Sequence, residues 1–272
     1  MPIGTVSNPT AFSIYSNYAN SSNALQRSMS RLSSGEKAVV DDGAGVAISE
    51  GMRSQATSTA MARQNVENAI SVLQTADGWM QEIHNTLNRM HELAVESNDA
   101  TKTDDDRTNI NAEFSALQSE VTRIIDEAAN FNGIGLLNGS VNAATQVGAD
   151  TGQTITLQIN SLASVTAMIS NASGGVATAT AAADQISKLQ TQINNVSEVR
   201  ASVGGLQGRF EHTRAGLLTY EDNLRAAESK IRDVDMAQES SNMTRNQILS
   251  QAGNAMLAQA NQLPQSILQL LG

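Results

Sequence analysis

Every seventh residue from 189 to 231 is apolar: Leu189, Val196, Val203, Phe210, Leu217, Leu224 and Ile231. A second row follows three residues behind most of them, at Val199, Leu206, Thr213, Tyr220 and Ala227. Alternating steps of three and four, sustained over six heptads, keep one stripe of a helix facing the same way and make the seam of a coiled coil. A helix of this kind needs partners to bury its stripe, and the first half of the chain supplies two. One seam runs through Ala69, Leu73, Ala76, Met80, Ile83, Leu87, Met90, Ala94 and Ser97. A shorter one runs through Ile110, Phe114, Leu117, Val121, Ile124, Ala128 and Phe131. Between them, Asp99 to Asp106 carries acidic residues suited to a helix start. The pattern predicts a mainly α fold, a long-helix coiled-coil bundle of antiparallel N- and C-terminal segments.

The ends of the chain differ from this bundle in one respect. Residues 1–26 contain no charged side chain, and neither do residues 246–272; all 44 Lys, Arg, Asp and Glu lie between them. Both ends are nevertheless amphipathic. Leu249, Ala252, Met256, Ala260, Leu263, Ile267 and Leu270 fall at steps of three and four, and Tyr18, Leu25, Met29 and Leu32 share a face. Exposed helices of soluble monomers carry charge on their wet side. Two uncharged arms therefore predict covering by each other and by other copies. Each arm spans ~40 Å if helical, and a helix of this length with little intrinsic stabilisation is marginal in water. The arms are thus expected to be largely disordered in a free monomer and helical after assembly.

Residues 130–183 hold a single charge, Asp150, and are rich in Gly, Thr, Ser, Asn and Ala. Asn132-Gly133 and Asn138-Gly139 signal turns. Thr154 to Ile159 alternates with period two and predicts a strand, with a second expected near Leu162 to Ile169. The run Ser173 to Ala183 is low in complexity and expected to be mobile. Gly and Asp between Ser33 and Gly45 predict a connector.

Composition excludes several classes. A net charge of −10 and a sequence pI near 4.7 disfavour nucleic acid. There is no Cys for a disulfide or thiolate metal site. No run approaches the ~18 apolar residues of a membrane span, and Met1 to Gln26 lacks the basic start and continuous apolar core of a secretory signal. Apparent motifs have plain explanations. His91-Glu92-Leu93-Ala94-Val95 begins like a zinc-protease helix but has Val95 where the second ligand belongs. His84 and His91 lack a third ligand, and Asp104-Asp105-Asp106 lacks the alternating ligands and central Gly of a calcium loop. Gly43-Ala44-Gly45 and Gly133-Ile134-Gly135 lack the strand–helix context of a nucleotide loop. No nucleophile–base pair emerges, so neither an enzyme nor a cofactor is expected.

Several runs resemble one family. Arg31-Leu32-Ser33-Ser34-Gly35, Asp41-Asp42, Gly45 and Ala47-Ile48-Ser49 are similar to the N-terminal signature of bacterial flagellins. Leu93-Ala94-Val95 with Ser97-Asn98, and Phe131-Asn132-Gly133 with Leu136-Leu137, fit the same family. Ser229-Lys230-Ile231-Arg232-Asp233-Val234-Asp235-Met236-Ala237 and Gln259-Ala260-Asn261-Gln262 match its C-terminal signature. The matches come in the right order over nearly the whole chain. One departure is Lys37-Ala38-Val39-Val40, where an Arg-Ile-Asn run is common.

The resemblance implies a structural subunit of the bacterial flagellar filament, exported unfolded and polymerised into a helical tube for swimming motility. Its place would be extracellular, in the filament. Hook–filament junction proteins of the same superfamily share similar ends and are the alternative. The resemblance also implies an inner layer made of arms 1–42 and 235–272, with Leu25, Met29, Leu32, Leu249, Met256, Leu263, Ile267 and Leu270 packing in the filament core. Residues 43–234 would form an outer bundle whose seam includes Leu73, Met80, Leu87, Phe114, Leu117, Leu189, Val196, Val203, Phe210, Leu217, Leu224 and Ile231. A β-hairpin region at about 131–183 would stand in the middle, without large variable outer domains. Implied partners are further copies of the chain, an export chaperone, the filament cap and junction proteins. In many flagellins the stretch matching Asn88 to Val95, with a Glu matching Glu113, binds host Toll-like receptor 5; Arg89, Leu93 and Glu113 carry that expectation here.

Overall fold

The structure is a computed structural model that describes the backbone of residues 9–139, 141–170 and 175–271, with side chains other than those of 169–170 and 263–271. The chain forms two compact units, one of Met1–Ser54 with Asn223–Gly272 and one of Gln55–Asp222. Among the described residues six α-helices dominate: α1 (Pro9–Ser34), α2 (Gly43–Ser97), α3 (Asp104–Arg123), α4 (Ala163–Ser170), α5 (Ala179–Arg232) and α6 (Met236–Leu271). The helices α2 and α5 contribute residues to both units.

In the Gln55–Asp222 unit the seams of α2, α3 and α5 close on one core. Leu73, Met80, Leu87, Phe114, Leu189, Val196, Val203 and Phe210 are all buried in it. Leu117 and Leu217 are half-buried against its edge. On α2 every predicted seam position from Ala69 to Ser97 is buried. Burial of a large aliphatic or aromatic side chain stabilises by about 1.5–3 kcal/mol, so this stripe is what holds the bundle together. The start of α3 is a capping box: Thr103 accepts from the Asp106 backbone N–H, and Asp106 accepts from that of Thr103. These hydrogen bonds hold the Asp106 carboxyl below its ordinary range. The acidic run is thus a helix start.

Three expectations need correction. The seam of α3 was predicted to continue through Ala128 and Phe131, but Ile124–Ala128 is a π-helical turn in which Ala129 N–H donates to Ile124 O. The wide turn inserts one residue, so Ile124, Ile125 and Ala129 are buried while Phe131 emerges 37% exposed. The second strand is not at Leu162–Ile169, which is mostly α4. Leu162 and Val165 are buried and Met168 half-buried, a helical spacing rather than an alternation. The strand Thr154–Gln158 instead pairs antiparallel with Asn142–Gln146, from upstream, and a smaller hairpin joins Asn130–Phe131 to Ile134–Gly135. Asn132 (φ 51°) and Gly133 (φ 77°) make the turn of that smaller hairpin, as the Asn-Gly signal predicts. Finally, the run expected to be mobile is anchored from Gly175 onward. The Ser97 hydroxyl donates to Val176 O, Val176 N–H donates to Asn111 Oδ1, and α5 begins at Ala179. Residues 173–174 of that run lie outside the described residues.

The long seam of α5 also changes character along its length. Full burial of its large apolar residues ends at Phe210. On α2 the buried positions of this unit before Val66 are small, Ala56, Thr59 and Ala62. A polar contact stands near them, with Arg63 Nε 3.6 Å from the buried Glu221 carboxylate. Burying a carboxylate requires a partner, and Arg63 supplies it. Leu224 and Ile231 are half-buried and belong to the other unit.

Candidate functional site

The unit of Met1–Ser54 and Asn223–Gly272 begins with punctuation that the sequence dictates. Gly35, at φ 75°, ends α1 by returning its N–H to Arg31 O. The connector then forms a short bridge between Glu36 and Asp233, and Lys37 donates its N–H to Arg232 O and its ammonium to Ile231 O. Asp42 starts α2 by accepting from Gly45 N–H at 2.8 Å. A Cβ at position 45 would lie 2.2 Å from the Asp42 carboxylate, so a side chain there would push that carboxylate off its capping position. Asp235 starts α6 by accepting from the N–H groups of Ala237 and Gln238.

A charged clamp holds the base of the arms. The Arg31 guanidinium lies 2.8 Å from Asp41 and 3.5 Å from the buried Glu239 of α6. The hydrogen bond from Arg31 holds the Asp41 carboxyl below its ordinary range, and Ala38 N–H supports it at 3.2 Å. A second network joins Arg53 to Glu36 and Glu228, and Arg232 to Glu36 and Glu50. Sequence reading missed the Glu239 carboxylate; its one signal was an acid at the first turn of an otherwise weakly charged helix.

Beyond the clamp, α1 and α6 lie against each other. Gly253 permits the approach, since a Cβ there would stand 3.2 Å from the Tyr18 ring. Yet the pair encloses almost nothing. Ala260 is the single buried hydrophobic residue among the described side chains of this unit. Large apolar groups stand in water instead: Phe12 is 76% exposed, Tyr15 60% and Ile248 60%. Of the residues predicted to pack in a filament core, Leu25 and Leu32 are half-buried, while Met29, Leu249 and Met256 are exposed. Leu263, Ile267 and Leu270 lie outside the described side chains, and residues 1–8 outside the described residues altogether.

The family model for the bacterial flagellin N-terminal helical region matches residues 6–142, and that for the C-terminal helical region matches residues 186–271. The chain belongs to the bacterial flagellin family. A flagellin of Halalkalibacterium halodurans is 42% identical, with 97% of this chain and 98% of the relative covered. The flagellin of Bacillus subtilis is 40% identical over the same shares. Flagellin FlaB2 of Treponema pallidum is 38% identical over 91% and 92%. Among solved structures, Bacillus cereus flagellin aligns with a TM-score of 0.52 at 26% identity, over 57% of this chain and 88% of that one. A chain described as a flagellar hook-associated protein from Vibrio parahaemolyticus aligns at 0.58 with 12% identity, over 71% and 100%, a likeness of fold alone. This flagellin is a structural subunit of the bacterial flagellar filament.

On the bundle of this flagellin, two of the three residues expected at a receptor surface come together. Arg89 donates to Glu113 at 2.8 and 3.0 Å and to Glu92 at 3.2 Å, on exposed faces of α2 and α3. Leu93 does not join them: it is 1% exposed and packs in the core. His84 and His91 are half-buried, five residues before and two residues after Arg89 on α2, and no cluster of three metal-ligating side chains occurs among the described residues. No described helix is long and apolar enough to cross a membrane.

Proposed function

We propose that this flagellin is exported, placed outside the cell and completed only there, its arms folding stably when neighbouring subunits cover them. The supporting observation is the near absence of a core in the arm unit, where Ala260 alone is a buried hydrophobic among the described side chains while Phe12, Tyr15, Ile248, Leu249 and Met256 are exposed. Removing such surface from water stabilises assembly by roughly 25 cal/mol per Å². The absence of charge in residues 1–26 and 246–272 avoids burying ions that no partner neutralises. Contacts between unlike faces of identical subunits extend as an open helical filament when their rotation does not close into a ring.

In this reading residues 1–42 and 235–272 form the inner layer, with Leu25, Met29, Leu32, Leu249, Met256, Leu263, Ile267 and Leu270 packing there, and residues 43–234 form the outer layer. The role is structural and not enzymatic. An export chaperone, the filament cap and hook-junction proteins are its other partners in the flagellum. Recognition by Toll-like receptor 5 would rest on the exposed Arg89–Glu113 pair, with Leu93 supporting that surface from within the core. Deletion of residues 246–272 tests the account of the arms. Seeded polymerisation followed by electron microscopy should show no tubes, while the bundle keeps its thermal transition. Normal filaments from that chain would refute it.

A further inference from the structure

The two charges that bound the uncharged ends are Arg27 and Arg245, 218 positions apart in sequence. The fold brings both to one groove of about 240 Å³ between α1 and α6, with Ser28, Arg31, Glu239 and Asn242 also in its walls. The groove's two nearby carboxylates are already engaged, since Asp41 and Glu239 both bind Arg31. Arg27 adds to the field that lowers the Asp41 pKa, but among the described residues neither Arg27 nor Arg245 makes an ion pair or hydrogen bond. Both are exposed.

A guanidinium keeps its charge at any physiological pH. Covering the arms therefore requires either a partner for each of these groups or a path to water. The uncharged ends cannot provide the partner, because residues 1–26 and 246–272 contain no Asp or Glu. The rest of the chain can, with 27 acids against 17 Lys and Arg. The geometry points to a carboxylate-binding site for a second copy of this chain: Arg27 and Arg245 together take an Asp or Glu side chain from the charged region of a neighbouring subunit. Two guanidinium forks on one carboxylate give charge-assisted hydrogen bonds that fix direction as well as sign. The site thus sets where one subunit sits on the next, a task that the non-directional apolar faces of the arms perform poorly. This inference rests on the reading that neighbours cover the arms.

Full-length Arg27→Gln/Arg245→Gln and Arg27→Lys/Arg245→Lys chains test it beside the wild type in seeded polymerisation. The glutamine pair should raise the critical concentration about tenfold or more, the loss expected for one strong charge-assisted contact. The lysine pair should restore most of it, and the monomer melting temperature should not move in either. Carbodiimide treatment of filaments made from the lysine pair, mixed from isotopically light and heavy subunits, should join position 27 or 245 to an Asp or Glu of another copy. Three results overturn the site: an unchanged critical concentration for the glutamine pair, a lysine pair no better than glutamine, or links confined to Asp41 and Glu239 of the same chain. Wild-type polymerisation that requires added acetate or phosphate, with that requirement absent in the glutamine pair, would show a free-anion site and also overturn it. Failure of the wild type itself to polymerise would count against the filament reading instead, and so is told apart.

Discussion

In the bundle unit Phe210 is fully enclosed, whereas in the arm unit Phe12 keeps 76% of its surface in water. Both residues belong to long amphipathic helices, and both helices are paired. The difference lies in the number of partners. The seam of α5 meets α2 and α3 together with the strands and α4 in one core. The arm pair has a single shared face, which small residues such as Ala260 and Gly253 fill while larger side chains remain outside. Two helices cannot exclude water from a stripe wider than their line of contact. Amphipathicity therefore says that a face is to be covered; only the surrounding elements say whether this chain covers it alone.

The largest expected effect separates the two units directly. Phe210→Ala should lower monomer stability by about 3–5 kcal/mol, the cost of a cavity where a buried aromatic was removed. Leu249→Ala, on an exposed face, should change it by no more than about 0.5 kcal/mol while raising the critical concentration for polymerisation. Denaturant titration of both monomers and seeded growth of both would check the contrast. Similar losses of monomer stability would break it. A smaller effect belongs to the bundle alone. Thr103→Ala removes the cap of α3 and should cost about 1 kcal/mol, with polymerisation unaffected at temperatures where the bundle stays folded.

The smallest effect concerns the clamp at the base of the arms. Asp41 is held below its ordinary value of 3.8 by Arg31, so the folded state binds its proton more weakly than the unfolded state does. The clamp's contribution is therefore complete above about pH 3.8 and is lost as pH falls through the lower, folded pKa. Asp41→Asn should remove that acid-dependent part and leave filaments at neutral pH in place, read by the pH at which assembled filaments dissociate across an acid titration.

How much of this was legible in the sequence depends on the length of the signal. The seams of α2 and α5 repeat over many turns, so no local irregularity hides them, and the Asp104–Asp106 run announced its helix start through the capping residues. The place of Phe131 is hidden in the sequence, because one extra residue in a π-helical turn shifts every later position and nothing in Ile124-Ile125-Asp126-Glu127-Ala128 marks that insertion. The strand Asn142–Gln146 carries small and polar residues with no apolar alternation, so only its partner Thr154–Gln158 declared itself. The apolar run from Leu162 to Ile169 fits the period of a strand as well as that of a helix, because it is short. The site was legible as a property of the two ends, their missing charge. Which residues the ends share, the groove at Arg27 and Arg245 and the clamp of Arg31 with Glu239, was not, because it depends on the pairing of α1 with α6 across more than 200 positions.

Amide hydrogen exchange on dilute monomer and on assembled filaments tests the central claim most directly. The account predicts that in the monomer residues 9–34 and 236–271 exchange nearly as fast as an unstructured peptide, while the stretches 66–94 and 189–210 are protected. In the filament both arms become protected. Slow exchange across residues 9–34 in the dilute monomer would contradict it, because the arms would then complete their own fold without a neighbour.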